Sequence, residues 1–307
     1  GNNAGVAIAA SGNQNILIGT SAGTAITTGD DNVLIGYQAG LSLTTSGTNV
    51  AVGSLAMDAG TTGISANVAI GYSALSGLTT NAAGNTAVGN TAGLAVTNGD
   101  DNTFVGRDSG IAITTQSYNV AIGAFALGGA SNQAAENTAI GWQSGFAITA
   151  GVRHVAVGFS ALISIATAND STAVGYKALT LDTGGSNTAV GSGALDANTA
   201  GVRNVGIGLN ALGLASTSSD NVAIGDNAAN AILTSGEFNV AIGTDALGAD
   251  VSGDSNVAVG YNALLSATGS NNIGIGSLAG DAQTSGTGNL TIGYNVDNAS
   301  TIAANQM

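Results

Sequence analysis

The sequence contains neither cysteine nor proline, and it is poor in charged and aromatic residues. Without cysteine the chain forms no disulfide and has no thiol site, and its redox compartment stays open. The absence of proline suits a chain in which nearly every backbone N–H joins a hydrogen-bonded ladder. Charged residues make up 7% of the chain, against the roughly 25% usual for soluble domains. Serine, threonine, asparagine and glycine must therefore cover the surface, which favours a long-lived extracellular fibre over a cytosolic enzyme.

Positive charge is also scarce, and this excludes further functions. The formal net charge is −14, and the four basic residues are Arg107, Arg153, Lys177 and Arg203. Nucleic-acid binding needs a basic surface, and this sequence has none. No apolar run approaches the roughly 18 residues of a membrane span. There is no signal peptide and no methionine at position 1, so we expect an internal piece of a longer protein or a processed product.

One short phrase, represented by Asn67-Val68-Ala69-Ile70-Gly71, recurs seventeen times along the chain. The intervals between its glycines are 16, 17 or 18 residues, and such a fixed period indicates a stacked array of repeats. We call these glycines the corner glycines and count positions in each repeat from them, as position 0. They are Gly19, Gly36, Gly53, Gly71, Gly89, Gly106, Gly123, Gly141, Gly158, Gly175, Gly191, Gly208, Gly225, Gly243, Gly260, Gly276 and Gly293.

The aligned repeats predict an all-β fold, a parallel β-solenoid of about 17 coils of 16–18 residues. Valine or isoleucine fills position −1 in every repeat, and alternating β-branched residues are typical of strands. The glycine marks a corner that needs a positive φ or a close backbone approach. Stacked coils would also align the asparagines at position −4 into a ladder of amide hydrogen bonds. The predicted structural ladder comprises Asn67, Asn85, Asn102 and Asn119, with Ile70 and Val88 and the corners Gly71 and Gly89.

Each coil is expected to read strand, glycine corner, second strand and loop. In one sub-type glycine follows the alanine at position +3, and a second apolar alternation predicts that second strand, as in Gly110-Ile111-Ala112-Ile113-Thr114. In the other a leucine such as Leu75 follows, and we expect it to enter the core.

Residues 1–14 are a lead-in or capping coil in which residues 5–9 form a degenerate strand motif. Residues 15–297 are the repeat array, and residues 298–307 are an exit segment or the start of a further domain.

Alternation along the strand predicts that the alanine at position −2 faces away from a core of valine, isoleucine and leucine. Such a strip of small apolar side chains is too long for the exposed surface of a monomer, which predicts parallel self-association. The strip includes Ala69, Ala121, Ala173 and Ala241.

The repeats resemble two known families. Asn67-Val68-Ala69-Ile70-Gly71 is similar in pattern to the head repeats of trimeric autotransporter adhesins, whose coils are shorter and form a left-handed parallel β-roll. The fuller phrases at residues 187–195 and 256–264 more closely resemble repeats of bacteriophage tail-fibre proteins, and residues 290–295 look like the phrase that closes such arrays. The resemblance covers residues 15–297. It implies a left-handed coil, a parallel homotrimer and, in many members, a cleaved C-terminal chaperone.

Several residues are candidates for chemistry, each with a structural alternative. The loop doublets Asp30-Asp31 and Asp100-Asp101 have the oxygen ligands that Ca²⁺ prefers, although a calcium-binding nonapeptide signature is missing. Aromatic residues after the corner could stack on sugars or cover the corner or a chain interface: Tyr37, Tyr72, Trp142, Phe159, Tyr176, Tyr261 and Tyr294. His154 replaces a ladder asparagine and has no second histidine or cysteine as a partner, so we expect a structural role. Arg153 and Arg203 share one column, which indicates repeat duplication rather than a ligand site.

No catalytic constellation stands out, so we expect neither an enzyme nor a cofactor. The sequence predicts the structural rod of an extracellular attachment fibre, a phage tail-fibre shaft on the virion surface. Its partners would be its own copies, other fibre or virion proteins at the ends, and a host surface glycan, without nucleic acid or membrane insertion. One alternative is an adhesin head that binds glycan or matrix. Another is an ice-binding solenoid, although threonine occurs mostly in adjacent pairs whose side chains point opposite ways.

Overall fold

The computed structural model describes residues 1–8, 12–129, 134–165, 167–231, 236–249, 252–282 and 285–297. These residues form a parallel β-solenoid of about 16–17 coils and contain no helix, which confirms the predicted all-β architecture. Every strand is three residues long and ends at the residue before a corner glycine. The strands are β1 (Ile16–Ile18), β2 (Val33–Ile35), β3 (Val50–Val52), β4 (Val68–Ile70), β5 (Thr86–Val88), β6 (Thr103–Val105), β7 (Val120–Ile122), β8 (Thr138–Ile140), β9 (Val155–Val157), β10 (Thr172–Val174), β11 (Thr188–Val190), β12 (Val205–Ile207), β13 (Val222–Ile224), β14 (Val240–Ile242), β15 (Val257–Val259), β16 (Ile273–Ile275) and β17 (Leu290–Ile292).

The chain divides into two compact units, residues 1–154 and 155–307. In the first unit each of β1 to β7 pairs in parallel with the next strand, and in the second unit each of β9 to β16 does the same. The pairing keeps equivalent residues opposite each other, so Val52, Ile70 and Val88 are direct neighbours in one row. Like side chains therefore contact like along each unit, as the repeat predicts.

The two faces of the strands are the reverse of the prediction. Ala69 is fully buried, as are Ala121, Ala173 and Ala241, whereas the side chain of Ile70 is 40% exposed. The reason is space, because the coil is thin and the loop half already supplies large apolar side chains such as Leu75. Where leucine fills position +4, position −2 holds alanine or glycine, whereas the fully buried Leu34 and Phe104 at position −2 lie in coils with glycine at +4. The valine and isoleucine columns consequently lie on the outside.

The segment after the corner is a series of turns, so the predicted second strand is wrong among the described residues. Positive φ recurs at every second position there, with Gly36 at 142°, Gln38 at 55° and Gly40 at 59°. This alternation is incompatible with an extended strand. Hydrogen bonds between coils nevertheless continue, because the Gln38 N–H donates to the Thr20 carbonyl and the Gly40 N–H to the Ala56 carbonyl. The turns therefore stack as regularly as the strands do.

Two positions in the turns, +4 and +7, supply the large apolar side chains of the core. Where position +4 is leucine, as at Leu75, that side chain is buried, which confirms the expectation for this sub-type. In other coils position +4 is glycine, as at Gly93. A Cβ added to Gly93 would lie 2.8 Å from the side chains of Leu75 and Phe104. In that coil the apolar Val96 at position +7 is buried. The core thus receives a large side chain from +4, from +7, or from both in a coil such as that of Leu78.

The first eight residues repeat the later half of a coil. The Ala4 N–H donates to the Gly1 carbonyl just as the Ala22 N–H donates to the Gly19 carbonyl, so Gly1 occupies a corner position. Residues 5–7 of the expected strand motif therefore lie in turns, and residue 9 lies outside the described residues. Residues 298–307, expected to form an exit segment, lie outside the described part of the chain.

Candidate functional site

The inward-facing asparagines at position −4 form hydrogen bonds from coil to coil. The Oδ1 of Asn85 accepts both the backbone N–H of Asn102 and its Nδ2, each at 3.0 Å. The Asn102 Nδ2 also donates to the carbonyl of Gln116 in the loop of the next coil, at 2.9 Å. Asn67, Asn85, Asn102 and Asn119 all lie in this ladder and are fully buried. Each asparagine thus ties its strand to the preceding strand and to the following loop.

His154 takes the place of one ladder asparagine and is buried. Its N–H donates to Asn137 Oδ1 at 2.9 Å, and its carbonyl accepts the Thr138 N–H at 2.8 Å. Its backbone therefore has the same contacts as the residue it replaces. Within the part of the chain that the structure describes, no three His, Cys, Asp or Glu residues lie together in a way that could hold a metal ion.

A buried aspartate, Asp182, is the polar group that sequence reasoning missed. It is fully buried in the second unit, at position +7, where most coils of the first unit carry leucine, isoleucine or valine. Its Oδ1 accepts Asn187 Nδ2 at 3.0 Å, Asn198 Nδ2 at 2.8 Å and the Gly184 N–H at 3.0 Å. Its Oδ2 accepts the Ser171 hydroxyl at 3.0 Å. A full set of donors therefore surrounds the carboxylate in place of water.

Asp182 compensates for the serine that interrupts the ladder. Ser171 has no amide oxygen, and the Asn187 N–H reaches its hydroxyl only at 3.4 Å. The Asn187 Nδ2, which elsewhere donates to the preceding asparagine, turns to Asp182 instead. The signal in the sequence was the coincidence of two exceptions, a serine in the asparagine column and an aspartate in an apolar column of the same coil.

The aspartate doublets proposed for calcium lie in loops, and one member of each caps a neighbouring coil. Asp30 Oδ1 accepts the Asn13 N–H at 2.6 Å, and Asp100 Oδ1 accepts the Ala83 N–H at 2.8 Å. Asp31 and Asp101 follow with positive φ, directly before the ladder asparagine. The carboxylates of Asp30 and Asp100 therefore each bond to the backbone of the preceding coil.

The two arginine positions carry positive φ on the outer edge of the loops. Arg203 forms a bidentate ion pair with Asp220 of the next coil, with Nε–Oδ1 and Nη2–Oδ2 distances of 2.6 and 2.7 Å. The hydrogen bonds that Arg203 donates to Asp220 lower the pKa of Asp220 and raise the pKa of Arg203. Arg153 occupies the equivalent position three coils earlier. The pair links two coils through the Nε and Nη2 of Arg203.

Two other carboxylates, at position +5, have pKa values shifted the opposite way. Burial raises the pKa of Asp58, and hydrogen bonds from backbone N–H groups partly offset the effect. Burial likewise raises the pKa of Asp196, against the same kind of bonds and the charge of Lys177. These shifts reflect partial desolvation in the turns and mark no constellation of acid and base.

The candidate sugar-binding rings are exposed at position +1. Tyr37, Tyr72, Trp142, Tyr176, Tyr261 and Tyr294 are all exposed there, as is Phe159. The rings of Phe159 and Tyr176, on consecutive coils, stack on each other with centroids 5.5 Å apart, and the Lys177 Nζ lies 5.4 Å from the centre of the Tyr176 ring. At these two coils the rings have protein neighbours, although Tyr176 is still 52% exposed.

The largest regular surface is the outer face of the strands, which we call the strand face: positions −3 and −1 of every coil. Its residues are valine, isoleucine, threonine and leucine, and none is charged. In-register pairing makes each column continuous within a unit. Most isoleucines at position −1 are more than one third exposed, including Ile70, Ile122 and Ile140 in the first unit and Ile207, Ile224, Ile242 and Ile275 in the second.

The described residues offer few other places for a ligand. No pocket opens in them. They also contain no helix long and apolar enough to cross a membrane. In comparisons with known proteins, no family model matches the chain, and no curated protein matches it either. Function must be inferred from the strand face, the buried ladder and the charged loops themselves.

Proposed function

We propose that this chain is the structural rod of an extracellular attachment fibre, a phage tail-fibre shaft in which three parallel copies pack side by side. The observation that carries the proposal is the strand face, an uncharged surface of β-branched side chains repeated on every coil. The rod would hold a receptor-binding or anchoring end away from the virion. Other fibre or virion proteins would bind its ends.

The size of the strand face supports packing between chains. Eight strands at about 4.8 Å spacing give the first unit a face about 34 Å long. Two columns of side chains cover roughly 300 Å² there, the size of the largest apolar patch of an ordinary monomer. The face of the second unit, with nine strands, adds a similar area. Each face alone is smaller than the roughly 800 Å² that a stable interface buries on each partner, so both units would have to contribute to such an interface.

The charge distribution supports a second copy as the occupant. Two copies that each carry a net charge of −14 repel each other unless they meet where charge is absent. The carboxylates lie in the loops and turns, whereas positions −3 and −1 are free of charge throughout. The face that could bury apolar area is thus also the face on which two copies can approach. The number three and a left-handed coil come from the resemblance to trimeric fibres and adhesins.

The mass of the native particle, measured by light scattering, tests the assembly. We expect three chains for the unaltered protein and a lower mass for the double variant Ile70→Lys with Ile122→Lys, which places charge on the strand face. The matched control is Tyr118→Lys, at a residue 62% exposed on the loop edge rather than on the strand face. A single-chain particle for the unaltered protein would refute the assembly, and equal masses for all three proteins would refute this interface.

Glycan binding and ice binding remain the competing functions, and each has a direct measurement. A pure shaft should bind nothing on a glycan array, whereas an adhesin head should retain specific sugars. The flat, regular strand face is the feature that favours ice binding, with threonine at Thr86, Thr103, Thr138, Thr172 and Thr188. If the intact protein showed thermal hysteresis, ice binding would replace the shaft as its proposed function.

A further inference from the structure

The loop at Asn98-Gly99 contains the only Asn–Gly dipeptide in the sequence. Glycine has no Cβ, so its backbone nitrogen can approach the preceding side chain more closely than that of any other residue. The Asn98 side chain is exposed to solvent. Among the described residues, neither its Nδ2 nor the Gly99 N–H donates a hydrogen bond to protein.

The ladder asparagines differ in each of these respects. Asn102, four residues later, is buried, and its Nδ2 donates to two acceptors. Its amide is buried and engaged in these hydrogen bonds. Asparagine is a chemically labile residue, and exposure and hydrogen bonding separate Asn98 from the ladder.

We infer that Asn98 is a site of spontaneous deamidation through a backbone succinimide. The Gly99 nitrogen attacks the Asn98 Cγ, the Cγ–Nδ2 bond breaks, and the proton lost by the Gly99 nitrogen leaves with the amide as ammonia. Water then opens the ring. Cleavage of the bond between Cγ and the Gly99 nitrogen gives aspartate, and cleavage of the bond between the Asn98 carbonyl carbon and that nitrogen gives isoaspartate. This inference does not depend on the proposed function.

The modification would loosen one coil. The Gly99 carbonyl accepts the Nδ2 of the buried Asn85 at 2.8 Å, and this bond ties the ladder to the loop. Isoaspartate inserts a methylene into the backbone directly before Gly99 and moves that carbonyl from its donor. Either product also adds a negative charge beside Asp100 and Asp101.

The sequence provides a matched control in the preceding coil. Asn81 lies at the same position, eight residues before its corner glycine, and is likewise exposed. It is followed by the buried Ala82, its φ is 55°, and its own N–H donates to the Thr62 carbonyl. The β-carbon of Ala82 hinders the attack that the Gly99 nitrogen can make.

The experiment is incubation of the intact, folded protein at mildly alkaline pH, followed by digestion and mass spectrometry of the two peptides. We expect Asn98 to exchange its amide for a carboxylate, with isoaspartate and aspartate both present, while Asn81 keeps its amide. Hydrogen exchange should then accelerate at the Asn85 coil in the isoaspartate-containing fraction. The same protein in denaturant is the reference for an unprotected site.

Two results would overturn the inference. In the first, Asn98 keeps its amide in the folded protein while the denatured protein loses it, so the fold protects the site. In the second, Asn98 and Asn81 convert at equal rates, so Gly99 has no special part. The variant Asn98→Gln should abolish the mass change at this position and so verifies the peptide assignment.

Discussion

The same core position is apolar in one part of the molecule and charged in another. In the first unit, position +7 is filled by Ile26, Leu43, Leu78, Val96, Ile113 and Ile148, all fully buried. In the second unit, Asp182 and Asn198 occupy that position on consecutive coils and are equally buried. The parallel pairing of the strands is unchanged there, because β10 and β11 keep the same register. The backbone of the coil thus accepts either chemistry.

An apolar residue and a buried carboxylate at position +7 place different requirements on their surroundings. Leucine or isoleucine removes apolar surface from water and needs no specific partner. Asp182 needs donors from Ser171, Asn187, Asn198 and Gly184, and these residues supply them. A buried carboxylate without such donors would cost several kcal/mol. The polar solution is therefore a coupled set, whereas the apolar one can be exchanged residue by residue.

The largest effect should come from placing a carboxylate at a buried position that has no hydrogen-bond donors for it. We expect Leu78→Asp to lower the local free energy of unfolding by about 5 kcal/mol, because the charge is buried and unpaired. Hydrogen exchange at the amides of β4 and β5 is the measurement, since a repeat array need not unfold as one two-state unit. Leu78→Ala separates the cavity from the charge and should cost less. Equal effects of the two variants would mean that the site admits water.

Removal of the native carboxylate should have the next largest effect. Asp182→Ala leaves four donors without their acceptor, and we expect a loss of about 3–4 kcal/mol in the stability of the coils around β10 and β11. Urea unfolding and hydrogen exchange of the second unit measure it. A loss below about 1 kcal/mol, the worth of one ordinary hydrogen bond, would contradict the role assigned to the carboxylate.

Restoring the consensus tests whether the exceptions are coupled. The triple variant Ser171→Asn, Asp182→Leu and Asn198→Ala returns an amide to the ladder and apolar residues to position +7, where Ala215 is already native. We expect it to recover most of the stability lost in Asp182→Ala, since apolar replacement of a buried charged cluster is often neutral. If the three substitutions acted independently, their effects would simply add.

A smaller effect should follow from weakening the ladder itself. Asn102→Ala removes the acceptor of the Asn119 N–H and Nδ2, and we expect a loss of about 2–3 kcal/mol. Asn102→Ser should lose less, because the Ser171 hydroxyl accepts the next N–H at 3.4 Å in the native protein. Hydrogen exchange at β6 and β7 ranks the two variants. If the serine variant lost as much stability as the alanine variant, Asp182 alone would explain why a serine is accommodated at position 171.

These comparisons also show how far the sequence leads. The period, the parallel stack and the register follow from the unbroken columns, because a fixed repeat can bury its apolar residues only against its neighbours. The inner face did not follow, since alternation separates Ala69 from Ile70 without saying which side faces the core. The size of the loop residues decides which strand face is buried, because side chains such as Leu75 fill the core once the turns bring them there.

The polar cluster was hidden for a related reason. Ser171 and Asp182 are eleven residues apart, and each alone looks like ordinary drift in a repeat. Their pairing depends on where the turns bring position +7, which requires the positive φ of non-glycine residues such as Leu179 at +4. Backbone conformations that L residues rarely adopt are not readable from composition. The exposed pair Arg203 and Asp220 was missed because only one partner was considered.

That exposed pair gives the smallest predicted effect and contrasts directly with the buried Asp182. Arg203 lowers the pKa of Asp220 from its ordinary value of 3.8, so the folded protein binds this proton less readily than the unfolded protein. The stabilisation is present above that ordinary value and is lost as the pH falls through the lowered pKa of the folded state. We expect Asp220→Asn to remove this part of the acid dependence, as seen in urea midpoints across acid pH, and added salt to shrink the difference. Because the Arg203 side chain is 62% exposed, a large loss of stability at neutral pH would contradict the assignment of the pair as a surface link rather than a second polar core.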